Sequence, residues 1–323
     1  MKNKKRRVTA RACSNVALLK YWGRKENKLR LPANNSISVN LSGLTSVTTI
    51  EEASSDELMI DGKKERGKAF ERVIKFLDMA GGEDRVKCRV VSKNSFPKST
   101  GMSSSASGFA ALAGAASKFF GLDLNEKKLS MLARKGSGSA CRSIPGGWVR
   151  WNAGSKDKDS FAESICESNY WDVVVLAVVV SDQVKRVVTS KGHELAKTSP
   201  YFKSRLKVIE SREKELIGAI KRKDFDRLGE VVERECFEFH VIPMTSEPPL
   251  FYWYPGTVAV VHEVKKMRKE GWSVFCTINT GHNVFVFVLP KDKKKVKERL
   301  KKMKTVKNII ENKVGEEVRI AKG

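Results

Sequence analysis

A glycine- and serine-rich segment, PKSTGMSSSASG at residues 97–108, contains the residue types that bind phosphate. It precedes a run of small residues that is typical of a helix. The loop leaves backbone N–H groups available, the helix N-terminus adds partial positive charge, and serine hydroxyls can ligate a magnesium ion that phosphate already holds. It is not a Walker A loop, because no G-K-[ST] follows. The alternative is a serine-capped helix whose small residues pack closely.

Two further segments can bind anions. RKGSGSACRSIPGGWVRW, residues 134–151, combines a second Gly/Ser loop with Arg142, whose planar guanidinium can bind phosphate or carboxylate through two hydrogen bonds. SNVALLKYWGRKENKLRLPANNSIS, residues 14–38, carries Lys20, Tyr21 and Arg24, although a solvated basic loop would have a similar composition. Three such segments, with their serines and arginines, predict phosphoryl transfer from a nucleotide to a small anionic acceptor.

A fourth segment, CTINTGHNVFVFVLP at residues 276–290, is apolar on both sides of a glycine turn. This pattern predicts two buried strands joined by a tight turn. Asn279, His282 and Asn283 lie at the turn, so its polar groups are two neutral amides and one imidazole. The turn therefore lacks a charged acceptor.

The elements that must position these segments alternate between strands and helices. Alternating and β-branched runs predict strands near residues 36–43, 46–53 and 57–62, and a periodic apolar pattern predicts a helix at 68–82 that ends in glycine. The pattern restarts after residue 172 with the apolar run VVVLAVVV and then long helices. Interleaved strands and helices predict an α+β or α/β class, with a domain boundary near residue 170.

The composition excludes several classes of protein. The chain has 323 residues with 41% hydrophobic content, enough for one large or two ordinary domains. The six cysteines show no CxxC spacing and there are four histidines, so neither a zinc site nor a disulfide framework is expected. The longest apolar run, at residues 173–180, is too short to span a membrane, and the basic N-terminus lacks the apolar region of a secretory signal. We therefore expect a soluble cytoplasmic protein with buried thiols.

A net charge of +25 is the most unusual feature of the composition. It could attract nucleic acid, an acidic membrane or a small polyanion, or it could reflect a lysine-rich solvated surface. Part of the excess lies at residues 290–304, where Val296, Leu300 and Met303 recur at helical spacing opposite lysines. This pattern predicts an amphipathic helix docked on a core. The sequence has no aromatic RNA-stacking motif or helix-turn-helix signature, which disfavours nucleic acid as a partner.

These blocks together resemble the diphosphomevalonate decarboxylases of the GHMP kinase superfamily. NVALLKYWGRK, LPANNSISVNL, FPKSTGMSSSASGFAAL, ARKGSGSACRS and GGWVRW follow the family's signature blocks in order and spacing, over nearly the whole chain. The resemblance implies a two-domain α+β GHMP kinase fold. Its ribosomal-protein-like, ATP-binding N-terminal lobe would be residues 1–170, and its α/β-sandwich C-terminal lobe residues 171–323. The active site is then expected in the cleft between the lobes, and a homodimer is usual in the family.

The resemblance also implies a reaction that uses ATP and Mg²⁺. In the family, phosphate passes from ATP to the tertiary C3 hydroxyl of (R)-5-diphosphomevalonate. Loss of that phosphate together with carbon dioxide gives isopentenyl diphosphate for isoprenoid biosynthesis. A tertiary hydroxyl is a poor leaving group, and phosphorylation makes it a good one. Its departure leaves developing positive charge at C3, which decarboxylation neutralises.

The family's site residues carry over to this chain only through the resemblance, and they divide into three groups. The expected catalytic residues are Lys20, Arg142 and Asn279. The expected ATP-binding residues are Gly101, Met102, Ser103, Ser104, Ser105, Ala106, Ser107 and Gly108, with Ser105 as the metal ligand. The expected substrate-binding residues are Tyr21, Trp22, Gly23, Arg24, Arg66 (at the 5-diphosphate), Ser137, Gly138, Ser139, Ala140, Cys141, Arg142 (near the carboxylate) and Thr198.

Three departures from the family pattern bear on function. The block usually written F-D-A-G-P-N is here INTGHN, residues 278–283, so Asn279 replaces the catalytic aspartate and His282 replaces a proline. An amide cannot accept a proton or balance the charge of Lys20, although it can orient a hydroxyl. Arg24 stands where many relatives have lysine. We expect His282 to be an exposed turn histidine rather than a base.

The missing aspartate leaves several functions open. The protein could remain a decarboxylase with another base or with proton loss to phosphate, it could be a C3 kinase that does not decarboxylate, or it could be a weakened or repurposed enzyme. Archaeal mevalonate 3-kinases also lack this aspartate, but they lose the lysine that is kept here as Lys20. The acceptor could be mevalonate or 5-phosphomevalonate instead of the diphosphate. A non-catalytic, basic nucleic-acid-binding homologue is the alternative from another class.

Overall fold

The computed structural model describes residues 6–96, 101–183 and 189–321. The strands are β1 Arg7–Leu19, β2 Arg24–Glu26, β3 Leu31–Pro32, β4 Ser36–Glu52, β5 Glu57–Ile60, β6 Lys63–Lys64, β7 Cys88–Asn94, β8 Trp148–Trp151, β9 Ala162–Cys166, β10 Val174–Val179, β11 Val274–Ile278, β12 Val284–Val288, β13 Asn308–Asn312 and β14 Arg319–Ile320. The α-helices are α1 Lys68–Gly81, α2 Ser104–Phe119, α3 Glu126–Gly136, α4 Thr189–Leu195, α5 Phe202–Arg222, α6 Phe225–Met244, α7 Pro255–Lys269 and α8 Lys293–Lys301. Short 3₁₀ helices lie at Gly138–Ser143, Asp157–Asp159, Ala196–Thr198 and Pro290–Asp292.

The first sheet combines strands of the N-terminal half with the last strand, β14. Its order is β14-β1-β4-β7-β5-β6, and β8 and β9 extend it from β4. The long antiparallel pair of β1 and β4 forms its centre, with Asn15 opposite Asn40 and Val16 opposite Val39. Helices α1, α2 and α3 pack on one face of the sheet and bury its apolar side chains there. This pairing brings the ends of β1 and β4 to the cleft described below.

Helix α2 explains the run of small residues in the sequence. Most of the helix is buried, and a Cβ added at Gly114 would lie 3.0 Å from Val318 and 3.4 Å from Ala10. Small side chains are therefore required for the helix to lie this close to β1. Close packing accounts for the body of the helix, whereas its N-terminal turn faces the cleft. The segment is therefore a closely packed helix over most of its length, and only its N-terminal turn is placed to bind phosphate.

The second sheet is antiparallel, in the order β11-β12-β10-β13. Its central strand, β10, is apolar throughout because both of its faces are covered. Val175 and Ala177 face a core shared with α5 and α6, whereas Val174 and Leu176 face α7 and α8. Burial on both faces explains why the run at residues 173–180 shows no polar alternation.

The predicted amphipathic helix of the basic segment is α8, and its docking is confirmed. Val296 and Leu300 are fully buried against the second sheet. On the outer side, Lys293 and Lys297 each lie 2.8 Å from a carboxylate oxygen of Glu311. Part of the positive charge of this helix is therefore balanced on the same surface.

The two sheets share one hydrophobic core. Val16 and Val39 of the first sheet belong to the same buried cluster as Phe275 and Phe287 of the second. The chain passes from the first sheet to the second between β9 and β10, and returns after β13 so that β14 pairs with β1. This is a two-lobed α+β architecture, as predicted. The division at residue 170 lies in the first of these connections and stays a prediction.

Three general properties of the described residues bear on function. No helix there is both long enough and apolar enough to cross a bilayer. The six cysteines are free thiols, five of them buried and Cys166 partly exposed. In the described ranges, no cluster of three or more His, Cys, Asp or Glu side chains could hold a metal ion.

Candidate active site

A cavity of about 250 Å³ lies where the two lobes meet. Four segments surround it: the residues after β1, the start of α2, the 3₁₀ helix Gly138–Ser143 and the turn between β11 and β12. The sequence-predicted residues that line it are Lys20, Tyr21, Arg24, Gly101, Ser103, Ser104, Ser105, Ser137, Gly138, Ser139, Arg142 and Asn279. The lining is completed by Ala17, Arg30, Arg72, Thr189, His193, Phe239 and Thr280. The three anion-binding segments and the amide turn thus form one site.

The start of α2 forms one wall of this cavity. Its first turn presents Ser104 and Ser105 at the positive end of the helix dipole, which favours an anion. Ser103, just before the helix, has a left-handed backbone with φ of 60°. Gly101 has φ of 87°, and a Cβ there would lie 2.8 Å from the Cα of Gly281. Glycine therefore allows the loop to approach the turn of the second lobe this closely.

Other members of the predicted phosphate loop hold it in place without lining the cavity. Met102 is buried, and its carbonyl oxygen accepts a hydrogen bond from Ser14 Oγ at 2.7 Å. Ala106 and Ser107 are buried in the helix, and the hydroxyls of Ser107 and Ser46 lie 2.7 Å apart. Residues 97–100 of the segment lie outside the described residues. The loop is thus anchored to β1 and β4 from below its exposed serines.

A second cavity, of about 190 Å³, adjoins the first turn of α2. Ser104, Ser105 and Gly108 line it beside a mainly apolar wall that includes Leu58, Ile60, Val73, Val90, Phe109 and Leu112. The sequence does not indicate this cavity, because its wall residues have the pattern of ordinary core. A flat apolar group joined to phosphates at the helix N-terminus would fit it.

Arg142 supplies a buried positive charge to the first cavity. Its guanidinium donates to Ser36 Oγ at 2.6 Å and to Asn15 Oδ1 at 3.1 Å. Asn15 in turn donates to Ser143 Oγ at 2.8 Å and to the carbonyl oxygen of Ser139 at 3.1 Å. These partners are all neutral, and burial lowers the pKa of Arg142. An anionic ligand would compensate this charge.

Three further arginines surround the same cavity. Arg24 donates to the Tyr21 hydroxyl at 3.0 Å, while Arg30 and Arg72 donate to backbone carbonyls at the end of α3. Burial, followed by the charges of Arg30 and Arg24, lowers the pKa of Arg72 to about 10. Within the described residues, none of the three forms an ion pair with a carboxylate. The group is therefore suited to a ligand with several negative charges.

Lys20 is only 2% exposed, yet it lines the cavity. Its Nζ donates to the carbonyl oxygen of Ala17 at 2.6 Å and to Thr277 Oγ1 at 2.7 Å. Glu235, on α6, accepts a hydrogen bond from the backbone N–H of Lys20 at 2.8 Å, but its charge is paired with Arg205 at 2.6 Å. Burial lowers the pKa of Lys20 to about 8.

Asn279 connects the second lobe to the first at this cavity. Its Oδ1 accepts a hydrogen bond from the backbone N–H of Ala17 at 3.2 Å, and Lys20 binds the carbonyl oxygen of the same residue. Its Nδ2 donates to Ser103 Oγ at 3.1 Å and to the carbonyl oxygen of Asn15 at 3.5 Å. A carboxylate would lack these donors and would face the Asn15 carbonyl with negative charge. The amide therefore suits this arrangement.

The prediction that His282 is an exposed turn histidine is wrong. The residue is 1% exposed, and its ring stacks on Tyr254 with centroids 4.7 Å apart. Its Nε2 lies 2.8 Å from the carbonyl oxygen of Ser181. Asn283 is also buried, and its Oδ1 accepts hydrogen bonds from the backbone N–H groups of Val180 and Ser181. The turn is buried because the start of α7 and the end of β10 pack on it, which a local pattern does not reveal.

Two family models match this chain in succession. The first, "Diphosphomevalonate decarboxylase-like N-terminal domain", matches residues 12–162. The second, "Mevalonate 5-diphosphate decarboxylase C-terminal domain", matches residues 175–321. The chain belongs to the diphosphomevalonate decarboxylase family. The family predicted from the sequence motifs is thereby confirmed.

Individual diphosphomevalonate decarboxylases are similar over most of this chain. The enzyme of Saccharomyces cerevisiae is 35% identical over 308 residues, which cover 87% of this chain and 78% of that protein. The solved structure of the Staphylococcus aureus mevalonate diphosphate decarboxylase has a TM-score of 0.93 and 34% identity, covering 100% of both chains. A structure of MDDEF in complex with MVAPP, AMPPCP and magnesium has a TM-score of 0.92 and 34% identity, covering 98% of this chain and 99% of that one. The predicted GHMP kinase fold is confirmed.

In this diphosphomevalonate decarboxylase, two predicted substrate-binding residues are exposed and lie away from the cavity lining. Arg66 is exposed immediately before α1. Thr198 is exposed, and its hydroxyl is engaged with the Leu195 carbonyl at 2.7 Å and the Glu247 N–H at 2.8 Å. Their roles stay predictions that rest on the family resemblance.

Four other predicted substrate-binding residues are buried behind the lining and are not part of it: Trp22, Gly23, Ala140 and Cys141. The Trp22 ring packs on His193 with centroids 4.6 Å apart, and the Gly23 N–H donates to His193 Nδ1 at 3.2 Å. Cys141 Sγ contacts the carbonyl oxygen of Gly138 at 3.0 Å. These residues therefore shape the cavity indirectly.

Sequence reasoning missed several residues at this site, among them Asn15, Arg30, Arg72 and His193. For Asn15 a signal existed, because it is a polar residue within the otherwise apolar second half of β1. For Arg30 and Arg72 there was none, because basic residues are abundant throughout this chain. His193 stacks on Tyr21 at 4.1 Å between ring centroids, a contact between residues far apart in sequence.

Proposed function

We propose that this protein catalyses the ATP-dependent decarboxylation of (R)-5-diphosphomevalonate to isopentenyl diphosphate, in the mevalonate pathway of isoprenoid biosynthesis. One observation carries this proposal: a single cavity combines the N-terminus of α2 with Lys20, Arg142 and three arginines that have no acidic partner in the described structure. Such a cavity can bring a phosphoryl donor and a multiply charged acceptor together. A relative of 34% identity binds MVAPP, AMPPCP and magnesium in one complex.

The nucleotide side is supported by two adjoining features. The serines at the start of α2 suit the ATP phosphates, and the neighbouring apolar cavity suits the adenine ring. Because no metal-binding cluster of His, Cys, Asp or Glu occurs among the described residues, Mg²⁺ would be held mainly by phosphate oxygens, with the Ser105 hydroxyl as the protein ligand. When bound, Mg²⁺ neutralises negative charge on the phosphates during transfer.

The acceptor side suits a molecule with a diphosphate at one end and a carboxylate at the other. In this proposal Arg24, Arg30 and Arg72 bind the 5-diphosphate, and Arg142 binds the carboxylate. Mevalonate or its 5-phosphate would leave more of the arginine charge uncompensated in a partly buried site. The cluster therefore favours the diphosphate among the three acceptors.

The chain's own residues contribute chiefly by positioning and by charge, on which phosphoryl transfer depends. Arg142 orients the carboxylate until the bond to C2 breaks and its electrons form the double bond. Lys20 stabilises the negative charge of the C3 phosphate as it departs. Tyr21 keeps Arg24 in place through its hydroxyl.

A C3 kinase that does not decarboxylate is the second candidate, and Asn279 is the observation that favours it. The amide cannot serve as a base, whereas the transfer step tolerates the change better because it depends mainly on positioning. Retention of both Lys20 and Arg142 in the cavity favours the decarboxylase.

The test offers mevalonate, its 5-phosphate and its 5-diphosphate in turn, each with ATP and Mg²⁺, and measures ADP and carbon dioxide separately. We expect equal amounts of ADP and carbon dioxide, with the diphosphate as the preferred acceptor. ADP without carbon dioxide would establish the kinase instead. Neither product from any acceptor would contradict both enzymatic functions.

The remaining proposals concern organisation. The two lobes would be residues 1–170 and 171–323, with β14 returned to the first lobe, and the protein would act as a cytoplasmic homodimer. The six free thiols suit a reducing compartment, and family membership supports the dimer. Sedimentation equilibrium of the full chain tests this assembly, and a monomer mass at micromolar concentration would contradict it.

A further inference from the structure

Lys20 is a buried lysine whose hydrogen-bond partners are neutral. The Ala17 carbonyl and the Thr277 hydroxyl accept from its Nζ, and no carboxylate in the described part of the chain forms an ion pair with it. Glu235, which faces Lys20 from α6, is already bound by Arg205. The position that holds an aspartate in the family is occupied by a neutral amide. The cation therefore has no counter-ion until a ligand enters.

The titratable and charged groups that face Lys20 come from every element packed around it: Glu235, Cys236 and His240 on α6, Arg205 on α5, and Arg142 on the 3₁₀ helix. Burial disfavours the ammonium form most, Cys236 and Glu235 favour it, and Arg142 and Arg205 repel it, so the pKa of Lys20 falls to about 8. His240 adds no charge, because burial lowers its pKa to about 3. The neutral amine of Lys20 therefore becomes accessible near neutral pH in the ligand-free cavity.

The proposed reaction requires the C3 hydroxyl to lose its proton, and Asn279 cannot accept it. Lys20 and Asn279 bind the carbonyl oxygen and the N–H of the same residue, Ala17, and all three line the cavity. A hydroxyl that lies against Asn279 would therefore also lie close to the amine of Lys20. At this point of the cavity, the neutral amine of Lys20 can take up a proton near neutral pH.

We propose that Lys20, as the neutral amine, is the base that removes the C3 hydroxyl proton in this protein, in place of the missing aspartate; this inference rests on the proposed function. The hydroxyl proton passes to Nζ, and the C3 oxygen forms a bond to the γ-phosphorus of ATP. The bond between that phosphorus and the β–γ bridging oxygen breaks, and ADP leaves with the electron pair.

The protonated amine then assists the second step. The C3–O bond breaks and the phosphate leaves with its electron pair, next to the new ammonium group. The electrons of the bond to the carboxylate form the double bond, and carbon dioxide departs. Lys20 then releases its proton to solvent as the products leave.

The first test is a single-turnover measurement of ADP formation by the wild-type protein with 5-diphosphomevalonate between pH 6 and pH 10. The rate should follow the neutral fraction of Lys20, so it should fall tenfold for each pH unit below the pKa and level off above it. Phosphate groups of the substrates titrate near pH 6, so they cannot cause a change in the rate near pH 8.

The second test replaces the amine by a cation that cannot lose its proton. The substitution Lys20→Arg should lower the single-turnover rate at least about 100-fold, with little change in KM for the acceptor, and should remove the change in the rate near pH 8. Lys214→Arg is the matched control, because Lys214 is an exposed residue of α5 that pairs with Glu210. It should leave both the rate and its pH dependence unchanged.

The third test restores a base at the family's position. The double variant combines Lys20→Arg with Asn279→Asp. Its rate should be at least tenfold higher than that of Lys20→Arg alone, because the carboxylate acts as the base, and it should not depend on pH above about 6. Independently of activity, NMR of the wild-type protein with isotope-labelled lysine should show one side-chain resonance that titrates near pH 8. That resonance should be missing from the Lys20→Arg spectrum.

The outcomes separate the two proposals. If ADP forms but its rate does not vary between pH 6.5 and pH 9, or if Lys20→Arg retains more than a third of the rate, the base role is overturned and the proposed function stands. If no side-chain resonance in the wild-type lysine spectrum titrates below pH 9.5, the base role is also overturned. This outcome does not depend on whether the Lys20→Arg variant folds. No ADP from any acceptor at any pH would overturn the proposed function and this inference together.

Discussion

Asn279 binds groups from two segments of the first lobe, the second half of β1 and the loop before α2. An amide carries both donors and an acceptor, so Asn279 can hold the Ala17 N–H and the Ser103 hydroxyl at once. A carboxylate could accept both hydrogen bonds but could donate none. At the scale of single residues, neutral amides thus assemble a cavity whose unpaired charges are positive.

The substitution Asn279→Ala should raise KM for ATP about tenfold, because the phosphate loop loses its hydrogen bond to the second lobe. KM for the acceptor should change much less, since the arginines that bind it are untouched. Steady-state kinetics with each substrate varied in turn measures both effects. Asn308→Ala, at an exposed position of β13, is the control and should change neither. An unchanged KM for ATP would show that Asn279 does not position the loop.

For the binding of the 5-diphosphate, the family alignment selects Arg66, whereas the geometry of the cavity selects Arg72. Arg72 lines the cavity, whereas Arg66 is exposed outside it. Arg72→Gln should therefore raise KM for 5-diphosphomevalonate at least about tenfold, as expected for loss of hydrogen bonds to a charged group. Arg66→Gln should change it less than about twofold, in keeping with an exposed side chain. The reverse order of effects would support the alignment and contradict the geometry.

At the scale of elements, the site is built where strands and helices end. The residues after β1, the first turn of α2, the 3₁₀ helix Gly138–Ser143 and the turn between β11 and β12 all contribute to its lining. Element ends have backbone groups without partners inside the element, which makes them suited to ligands. The close contact between Gly101 and Gly281 brings two such ends together across the lobes.

Gly101→Ala should lower kcat/KM for ATP more than about tenfold, because the added methyl group would push the phosphate loop away from Gly281. Gly121→Ala is a matched control, since Gly121 also has positive φ (69°) but has nothing within 4 Å of an added Cβ. Both substitutions should lower the free energy of unfolding by about 1–2 kcal/mol through backbone strain. Urea denaturation and steady-state kinetics separate the two effects. Equal kinetic losses in both variants would argue against the close-contact explanation.

At the scale of the whole molecule, the net charge is +25, and the basic residues differ by region in whether they have acidic partners. On the surface of the second lobe, basic residues of α8 pair with carboxylates, as Arg299 does with Glu263 and Glu270. In the cavity, the arginines have only neutral partners among the described residues. This distribution favours attraction of small anionic substrates to the cavity.

Binding to RNA and DNA should be weak and non-specific. Since counterion release would supply nearly all of its free energy, affinity should fall about 1,000-fold or more between 50 and 200 mM salt. Fluorescence anisotropy with one RNA and one DNA of mixed sequence measures this dependence. Tight, sequence-dependent binding that persists at physiological salt would contradict the assignment and favour a nucleic-acid-binding homologue.

The sequence by itself determined the α+β class, the family and the three segments that are predicted to bind anions. These features are local: glycine and serine loops, apolar periodicity and family blocks can be read within 10 to 25 neighbouring residues. The docking of α8 through Val296 and Leu300 was predictable for the same reason. The replacement of the aspartate by Asn279 was also evident, since it needs one aligned block alone.

Only the tertiary structure decided which residues share the cavity and how each is charged. Arg30 of the turn between β2 and β3 and Arg72 of α1 meet there because both donate to backbone carbonyls at the end of α3. His282 is buried because α7 covers its turn. The depressed pKa of Lys20 follows from burial and from neighbours more than 100 positions away in the sequence. Burial and electrostatic coupling depend on distances in space, which folding sets, so no local pattern could show them.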